Sequence, residues 1–205
     1  MQQHDGVDES RVTLRDARPT YEDGLLCARY LDQASEGFHR FWMGPTMAHI
    51  IATAFSHTGH TYSYEHVTFA ERDDQIVGMA MAFTAEQHRH FSEAPVNQAA
   101  GFHLIRMTLV ALVLFPVFRV LDAIPDGDFY LLAIAVDPAL RGEGIGAKLL
   151  NVTKEKARTS GSRRLSLHVA APNVGAQRLY ERFGMSIDTQ WPKWFAKLYL
   201  MAKVL

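Results

Sequence analysis

Hydrophobic and polar residues alternate in several short stretches of the chain, and this period of two predicts β-strands. The stretches "RVTLRDA" (11–17) and "RRLSLHVA" (163–170) alternate in this way. Residues 66–83 hold two apolar runs on either side of an acidic pair, which predicts a β-hairpin. The stretch "FYLLAIAV" (129–136) is apolar almost throughout, a pattern typical of a strand covered on both faces.

Helical periodicity occupies the intervals between these strands. Thr20 predicts an N-cap followed by a helix with acidic residues in its first turn. Asn173 predicts the N-cap of a short helix that ends at Gly184. The remaining predicted elements are helices over 45–57, 100–115 and 142–161, and two closing strands over 186–194 and 195–205.

The order of these elements predicts an α/β fold, with a mixed, mostly antiparallel sheet flanked by helices. We find no internal repeat or linker, so residues 11–205 are expected to form a single domain. The first ten residues are polar and lack an apolar signal core, and we expect residues 1–10 to be a flexible N-terminus.

Composition narrows the class of protein. Of the 205 residues, 48% are hydrophobic and 21% charged, and the formal net charge of −1 gives no reason to expect nucleic acid or a membrane as a partner. The ten histidines are scattered without an HExxH spacing, so no metal site is predicted. The single cysteine, Cys27, cannot form an internal disulfide, and we expect a cytoplasmic location.

The most apolar run is "MTLVALVLFPVF" (107–118). It is too short for a membrane span, which needs about 20 residues, and it contains Pro116 between the flanking Arg106 and Arg119. We expect a buried helix here. The alternative is an exposed apolar surface that joins two copies of the chain in a homodimer.

Three glycines follow the apolar strand at 129–136 and precede a helix. Gly142, Gly144 and Gly146 leave the backbone bare where the first amides of the helix have no partner within it. The helix dipole and Arg141 add positive charge at the same point, so the sequence predicts an anion site, most naturally for phosphate.

Two common phosphate motifs do not fit this stretch. The spacing is G-x-G-x-G rather than the G-x-G-x-x-G of a dinucleotide fold, and the following strand has no acidic residue at its end. A P-loop would need a serine or threonine after its lysine, whereas Leu149 follows Lys148.

A third pattern, [RQ]-x-x-G-x-[GA], does fit "RGEGIGA", and it is the acetyl-CoA pyrophosphate loop of the GNAT superfamily of N-acetyltransferases. A second segment has the superfamily's form N-x-x-A-x-x-x-Y-x-x-x-G-[FM], through Asn173, Ala176, Tyr180, Gly184 and Met185. The chain therefore resembles this superfamily, strongly over 129–190 and weakly before residue 60.

The resemblance implies an acyl-CoA N-acyltransferase fold with acetyl-CoA as the co-substrate and no metal. It implies that a strand end pairs with the pantetheine arm and that loop amides wrap the pyrophosphate, through Ile134, Ala135, Val136, Arg141, Gly142, Glu143, Gly144, Ile145, Gly146 and Ala147. For Asn173 two roles stay open, a hydrogen bond to the pantetheine arm or a helix cap.

Two residues are candidates for the chemistry. Tyr180 matches the tyrosine that points its hydroxyl at the thioester sulfur in the superfamily, and a phenol can protonate a departing thiolate. His168 is the candidate base because an imidazole pKa lies near the working pH; the alternative is a histidine satisfied within the sheet. Glu65 and Tyr64 are alternative bases.

The function implied is transfer of an acetyl group from acetyl-CoA to a primary amine by direct attack in a ternary complex. A sensor that binds acyl-CoA without turnover, and an enzyme with another acyl group or an oxygen acceptor, stay open. Peptide amines, polyamines, aminoglycosides and arylalkylamines all remain candidate acceptors. Aromatic side chains that suit an apolar or cationic acceptor, or else form core or interface, are Phe38, Phe41, Trp42, Trp191 and Trp194.

Overall fold

Seven strands form one sheet in this computed structural model, which describes residues 12–191 and 198–205. The strands are β1 Thr13–Asp16, β2 Val67–Arg72, β3 Gln75–Thr84, β4 Asp128–Val136, β5 Arg164–Ala170, β6 Ser186–Gln190 and β7 Leu198–Val204. Their order across the sheet is β1-β2-β3-β4-β5-β7-β6, and β4 with β5 is its parallel pair. The predicted single α/β domain with a mostly antiparallel sheet is confirmed.

Helices cover both faces of this sheet. Those in the described residues are α1 Tyr21–Ala34, α2 Phe38–Met43, α3 Met47–Ala54, α4 Ala85–Arg89, α5 Ala94–Ala100, α6 His103–Val113, α7 Phe115–Leu121, α8 Ile145–Thr159 and α9 Val174–Arg182. The predicted flexible N-terminus, residues 1–10, lies outside the described residues.

The parallel pair β4–β5 is hydrogen-bonded over its first three positions and then diverges. The ladder joins residues 128–130 to residues 164–166, while β4 continues to pair with β3 up to Val136. At the closed end the guanidinium of Arg164 donates to both carboxylate oxygens of buried Asp128, at 2.9 and 3.1 Å. Beyond this closed end the two strands move apart. They leave a wedge-shaped gap between residues 131–136 of β4 and residues 167–170 of β5, which we call the wedge.

Two apolar cores pack against the two faces of the sheet. One contains α1 and α3 with Phe69 and Met79, and the other contains α8 and α9 with Leu149 and Leu167. Close packing fixes the first core: a Cβ added at Gly24 of α1 would lie 2.7 Å from the Ala52 Cα of α3. These helices therefore hold the segments that border the wedge in fixed positions.

The structure contains the helix N-caps and the hairpin turn that the sequence predicts. The Thr20 hydroxyl accepts from the Asp23 amide at 3.2 Å, and the Asn173 side chain accepts from the Ala176 amide at 3.0 Å, so both predicted N-caps are confirmed. The predicted hairpin is also confirmed: β2 and β3 are joined by Asp73 and Asp74, both with positive φ, as a tight hairpin turn requires.

Two predicted helices differ from the structure. The helix expected from 142 begins at Ile145, because Gly142 and Gly144 have φ of +91° and +83°, which a helix cannot continue. The helix expected over 100–115 is split into α6 and α7, which are bent by 86° with Pro116 in the first turn of α7. The short helices α2, α4 and α5 had no counterpart in the prediction.

The expectation of a buried helix over 107–118 is wrong. Only Met107 of α6 is buried, whereas Leu112 is 72% and Val113 75% exposed, and Phe102 just before α6 is 94% exposed. The alternative of an exposed apolar surface fits these exposures, and the homodimer stays a prediction. Among the described residues no single helix is long and apolar enough to cross a membrane; α6 and α7 meet the length and composition only together, across their bend.

Candidate active site

A cavity of about 1610 Å³ is lined by the diverging halves of β4 and β5 and extends on both sides of the wedge. We call it the central cavity. On one side it reaches the glycine loop 141–147 and α9; on the other it reaches the α1–α2 turn and α7. The divergence of the two strands thus creates a space that neither strand pairing nor the two cores fill.

The glycine loop presents backbone amides to the central cavity. The first hydrogen bond of α8 runs from the Lys148 amide to the Gly144 carbonyl at 3.0 Å, so the amides of Ile145 to Ala147 precede the helical ladder. Gly142 and Gly144 are left-handed, while a Cβ on Gly146 would lie 3.4 Å from Leu179 of α9. Two glycines therefore shape the turn, and the third lets α9 pack closely.

The predicted cofactor residues meet at this end, with one exception. Those that line the central cavity are Ile134, Ala135, Val136, Arg141, Gly142, Gly144, Ile145, Gly146, Ala147 and Asn173. Glu143 does not line it, because its carboxylate points to β2 and forms an ion pair with Arg72 at 2.5 Å. Arg182, which the sequence did not suggest, is a second arginine among the lining residues.

The edge of β4 that faces the wedge is partly occupied within the chain. The amide of Gln33, at the end of α1, donates to the Val136 carbonyl at 2.8 Å. A pantetheine arm that paired with this edge would meet Gln33 there. The sequence offered no signal for Gln33, which reaches β4 from 103 positions away.

Asn173 links the two sides of the central cavity. Its oxygen caps α9, and its Nδ2 donates to the carboxylate of Glu36 in the α1–α2 turn at 3.1 Å. Glu36 is held with φ of +53°, which is rare outside glycine. The capping role is confirmed, and the hydrogen bond to pantetheine stays a prediction.

His168 lies where β5 leaves the ladder and is held from two sides. Its Nδ1 is 2.9 Å from the hydroxyl of Tyr130, and its ring packs on Trp191 with centroids 5.1 Å apart. The Nε2 is buried without a hydrogen-bond partner among the described residues. Burial lowers the pKa of His168 to about 4, so the expectation of a pKa near the working pH is wrong.

Tyr180 of α9 and Tyr130 line the central cavity together with His168. Burial raises the pKa of Tyr180 to about 12, and burial also raises the pKa of Tyr130. Tyr180 therefore keeps its proton at neutral pH. Tyr130 was not predicted as a site residue; its signal was a hydroxyl within the apolar stretch 129–136.

The alternative bases lie elsewhere. The carboxylate of Glu65 accepts from the Gly59 amide at 3.2 Å and from the Ser63 hydroxyl at 3.1 Å, and it lines a separate pocket of about 210 Å³. Tyr64 packs against the α1–α3 core and does not line the central cavity. Neither residue is placed to act at the site.

The predicted aromatic residues divide into three groups. Phe38, Phe41 and Trp42 line the central cavity, whereas Trp191 packs on His168. Trp194 lies outside the described residues. Phe118 of α7, which the sequence did not single out, joins the wall with ring centroids 5.7 Å from Phe38 and 5.0 Å from Trp42.

A wedge between two parallel strands, bordered by a glycine loop at a helix N-terminus, is the geometry of a site for an anionic cofactor. The chain belongs to the acetyltransferase (GNAT) family, whose family model matches residues 28–185. The match covers both the glycine loop and the Asn173–Met185 segment.

Individual relatives agree with this family. Over 58 residues the chain is 40% identical to a putative ribosomal protein bS18-alanine N-acetyltransferase of Bacillus subtilis (strain 168), and this match spans 28% of the chain and 38% of that relative's length. The fold is similar to the crystal structure of an N-acetyltransferase from Staphylococcus aureus Mu50, with a TM-score of 0.68 at 18% identity over 93% of this chain and 100% of that one. It is also similar to a PaiA N-acetyltransferase from Thermoplasma acidophilum in complex with coenzyme A, with a TM-score of 0.52 at 13% identity over 95% and 99% of the chains.

Proposed function

We propose that this protein is an N-acetyltransferase that moves an acetyl group from acetyl-CoA to a primary amine by direct attack in a ternary complex. The observation that carries the proposal is one cavity lined both by the glycine loop at the N-terminus of α8 and by Tyr180 and His168. Membership of the acetyltransferase family supports it. The cytoplasmic location expected from the single cysteine stays a prediction.

The cofactor end of the central cavity, residues 134–136 and 141–147 with Arg182, holds acetyl-CoA. The amides that precede the α8 ladder donate to the pyrophosphate, and the guanidinium groups of Arg141 and Arg182 supply positive charge. Coenzyme A bound to the solved Thermoplasma relative supports this assignment. The thioester is the activated acyl donor that this arrangement delivers to the wedge.

The reaction needs one proton acceptor and one proton donor. The amine nitrogen attacks the carbonyl carbon, the C–N bond forms, and the C–S bond breaks with its electron pair on sulfur. His168 Nε2 takes the proton that the amine loses, and the Tyr180 hydroxyl gives a proton to the leaving thiolate. The acceptor role requires the tautomer in which Nδ1–H donates to the Tyr130 oxygen, 2.9 Å away, and Nε2 keeps its lone pair.

Because the pKa of His168 is low, we expect it to accept the proton of the amine only after attack on the carbonyl has begun. A group with a pKa of about 4 stays neutral at pH 7 and is free to accept, but it is too weak to deprotonate a free ammonium ion of pKa near 10. Attack on the carbonyl makes the N–H far more acidic, so the transfer occurs after attack begins. Water removes the proton of the free ammonium beforehand.

The test is a thermal-shift screen with acyl-CoA esters followed by a thiol-release assay with a panel of amines. We expect acetyl-CoA to raise the melting temperature and at least one amine to release free CoA. Stabilisation without release for any amine would indicate an acyl-CoA sensor. Absence of stabilisation by every ester would overturn the proposal.

A further inference from the structure

The central cavity carries opposite charges at its two ends. The acceptor end consists of the aromatic residues Phe38, Trp42 and Phe118 with the carboxylates Glu93 and Asp122. Among the described lining residues, lysine and arginine side chains occur only at the cofactor end, as Arg141 and Arg182. The positive charge of the cofactor end therefore suits an anion, and the negative charge of the acceptor end suits a cation.

The two carboxylates face the acceptor end without strong partners. Glu93 precedes α5 and its carboxylate makes no cap hydrogen bond to that helix, and Asp122 follows α7 with His88 Nε2 3.9 Å from its Oδ1. Burial raises the pKa of both carboxyls, and the charge of Asp122 raises that of Glu93 further. A bound cation would relieve this mutual repulsion.

The side chain of Asp122 is 68% exposed even though its pKa is raised by burial. This exposed side chain belongs to a residue that lines the central cavity. A ligand can therefore reach it.

Aromatic rings form the wall beside these carboxylates. Phe38 and Trp42 pack on Phe118 with centroid separations of 5.7 and 5.0 Å, and the Trp42 indole N–H is already used, donating to the Met107 carbonyl at 3.1 Å. The wall therefore offers ring faces and apolar surface rather than hydrogen bonds. Such a surface suits methylene or aryl groups that carry a positive charge.

A continuous row of rings connects the carboxylates to the reacting centre. His168 packs on Tyr130 with centroids 5.5 Å apart, Tyr130 on Phe83 at 5.8 Å, and Phe83 stacks on His88 at 5.6 Å. His88 in turn faces Asp122. The carboxylates thus lie at the opposite end of this row from the buried Nε2 of His168, which has no hydrogen-bond partner among the described residues.

We propose that the acceptor is a dication: a primary amine with a second ammonium group beyond an apolar or aromatic spacer. Its reacting nitrogen lies at His168 and Tyr180, its spacer lies along Phe38, Trp42 and Phe118, and its second ammonium group binds between Glu93 and Asp122. This inference rests on the proposed acetyltransferase function and names the substrate class of that site.

The test compares two acceptors with the same body. With saturating acetyl-CoA, kcat/KM is measured for 1,4-bis(aminomethyl)benzene and for 4-methylbenzylamine, in the wild type and in the double variant Glu93→Gln/Asp122→Asn. We expect the wild type to prefer the diamine about 10–100-fold, the range of a charge-assisted contact. In the double variant the ratio of the two values should fall to within about threefold of one.

A matched control is Asp126→Asn, which removes a nearby carboxylate that pairs with Arg89 outside the central cavity. It should leave the preference unchanged. If the double variant fails to fold, the single variants Glu93→Gln and Asp122→Asn take its place, and each should lower the ratio.

Equal kcat/KM for the two amines in the wild type, or a ratio that the carboxylate variants do not change, would overturn this inference. Turnover of either amine would in that case leave the proposed function intact. Failure of acetyl-CoA to bind and of every amine to react would instead overturn the proposed function itself.

Discussion

The two ends of the central cavity are built in different ways. The cofactor end is built mainly from the backbone of one short loop, residues 141–147, and from the strand just before it, with Arg182 of α9 added. At the acceptor end the contacts come from side chains on α2, α5 and α7, between residues 38 and 122, brought together by packing. A site made of backbone therefore depends on local conformation, whereas a site made of side chains depends on the whole fold.

The largest expected effect is a loss of kcat without a loss of acetyl-CoA binding. Tyr180→Phe should lower kcat by about 100-fold or more, because it removes the proton donor to the thiolate, while the Kd of acetyl-CoA stays within about twofold. Steady-state kinetics and calorimetric titration of acetyl-CoA measure the two quantities. Tyr21→Phe, which removes an exposed hydroxyl bonded to His49, is the control. Unchanged kcat in Tyr180→Phe would remove Tyr180 from the mechanism.

The second largest expected effect is on acetyl-CoA binding by the glycine loop at the cofactor end. Gly144→Ala places a Cβ at φ +83° and should weaken acetyl-CoA binding about tenfold, because left-handed strain of about 1–2 kcal/mol turns the amides away. Gly161→Ala is the matched control, since Gly161 has φ +76° at the other end of α8. Both variants should lose similar stability to urea. If both also bound acetyl-CoA equally well, the loop amides would not hold the cofactor.

The smallest effect concerns His168 and its state of protonation. An NMR titration of its ring should give a pKa near 4, and the nitrogen shifts should report the Nδ1–H tautomer. The Nε2–H tautomer in the acetyl-CoA complex would contradict its role as proton acceptor.

The same pKa predicts a stability effect with a definite sign. An unfolded histidine has a pKa near 6.5, so between pH 6.5 and 4 the unfolded chain binds the extra proton and the neutral His168 loses its stabilising contribution as pH falls. Relative to His168→Gln, the wild type should therefore lose about 1–2 kcal/mol of unfolding free energy between pH 7 and pH 5. Urea unfolding of both proteins at the two pH values measures this, and parallel curves would contradict it.

The features that could be predicted from the sequence are those set by residues close together in the chain. The caps Thr20 and Asn173 and the acidic hairpin turn depend on residues that are neighbours in the chain, and these predictions were confirmed. The sheet, too, followed from the order of elements.

Contacts between distant segments could not be predicted. Nothing in "FYLLAIAV" indicates that Tyr130 would meet His168, 38 positions later, and composition cannot place Glu93 beside Asp122. The burial predicted for the apolar run at 107–118 was wrong for a related reason. Hydropathy predicts burial only where another element covers the helix, and α6 presents Ile105, Leu109, Leu112 and Val113 to solvent.

The early end of the β4–β5 ladder has a thermodynamic consequence. Past Tyr130, β4 has the unpaired backbone of an edge strand in the middle of a sheet, and such edges invite pairing with other chains. A ligand that lies along β4 takes the place of the missing strand and, by mass action, adds about 2.7 kcal/mol of stability at a concentration of 100 Kd. Ligand supply would then set how much of the protein stays free of aggregation, as well as how fast it works.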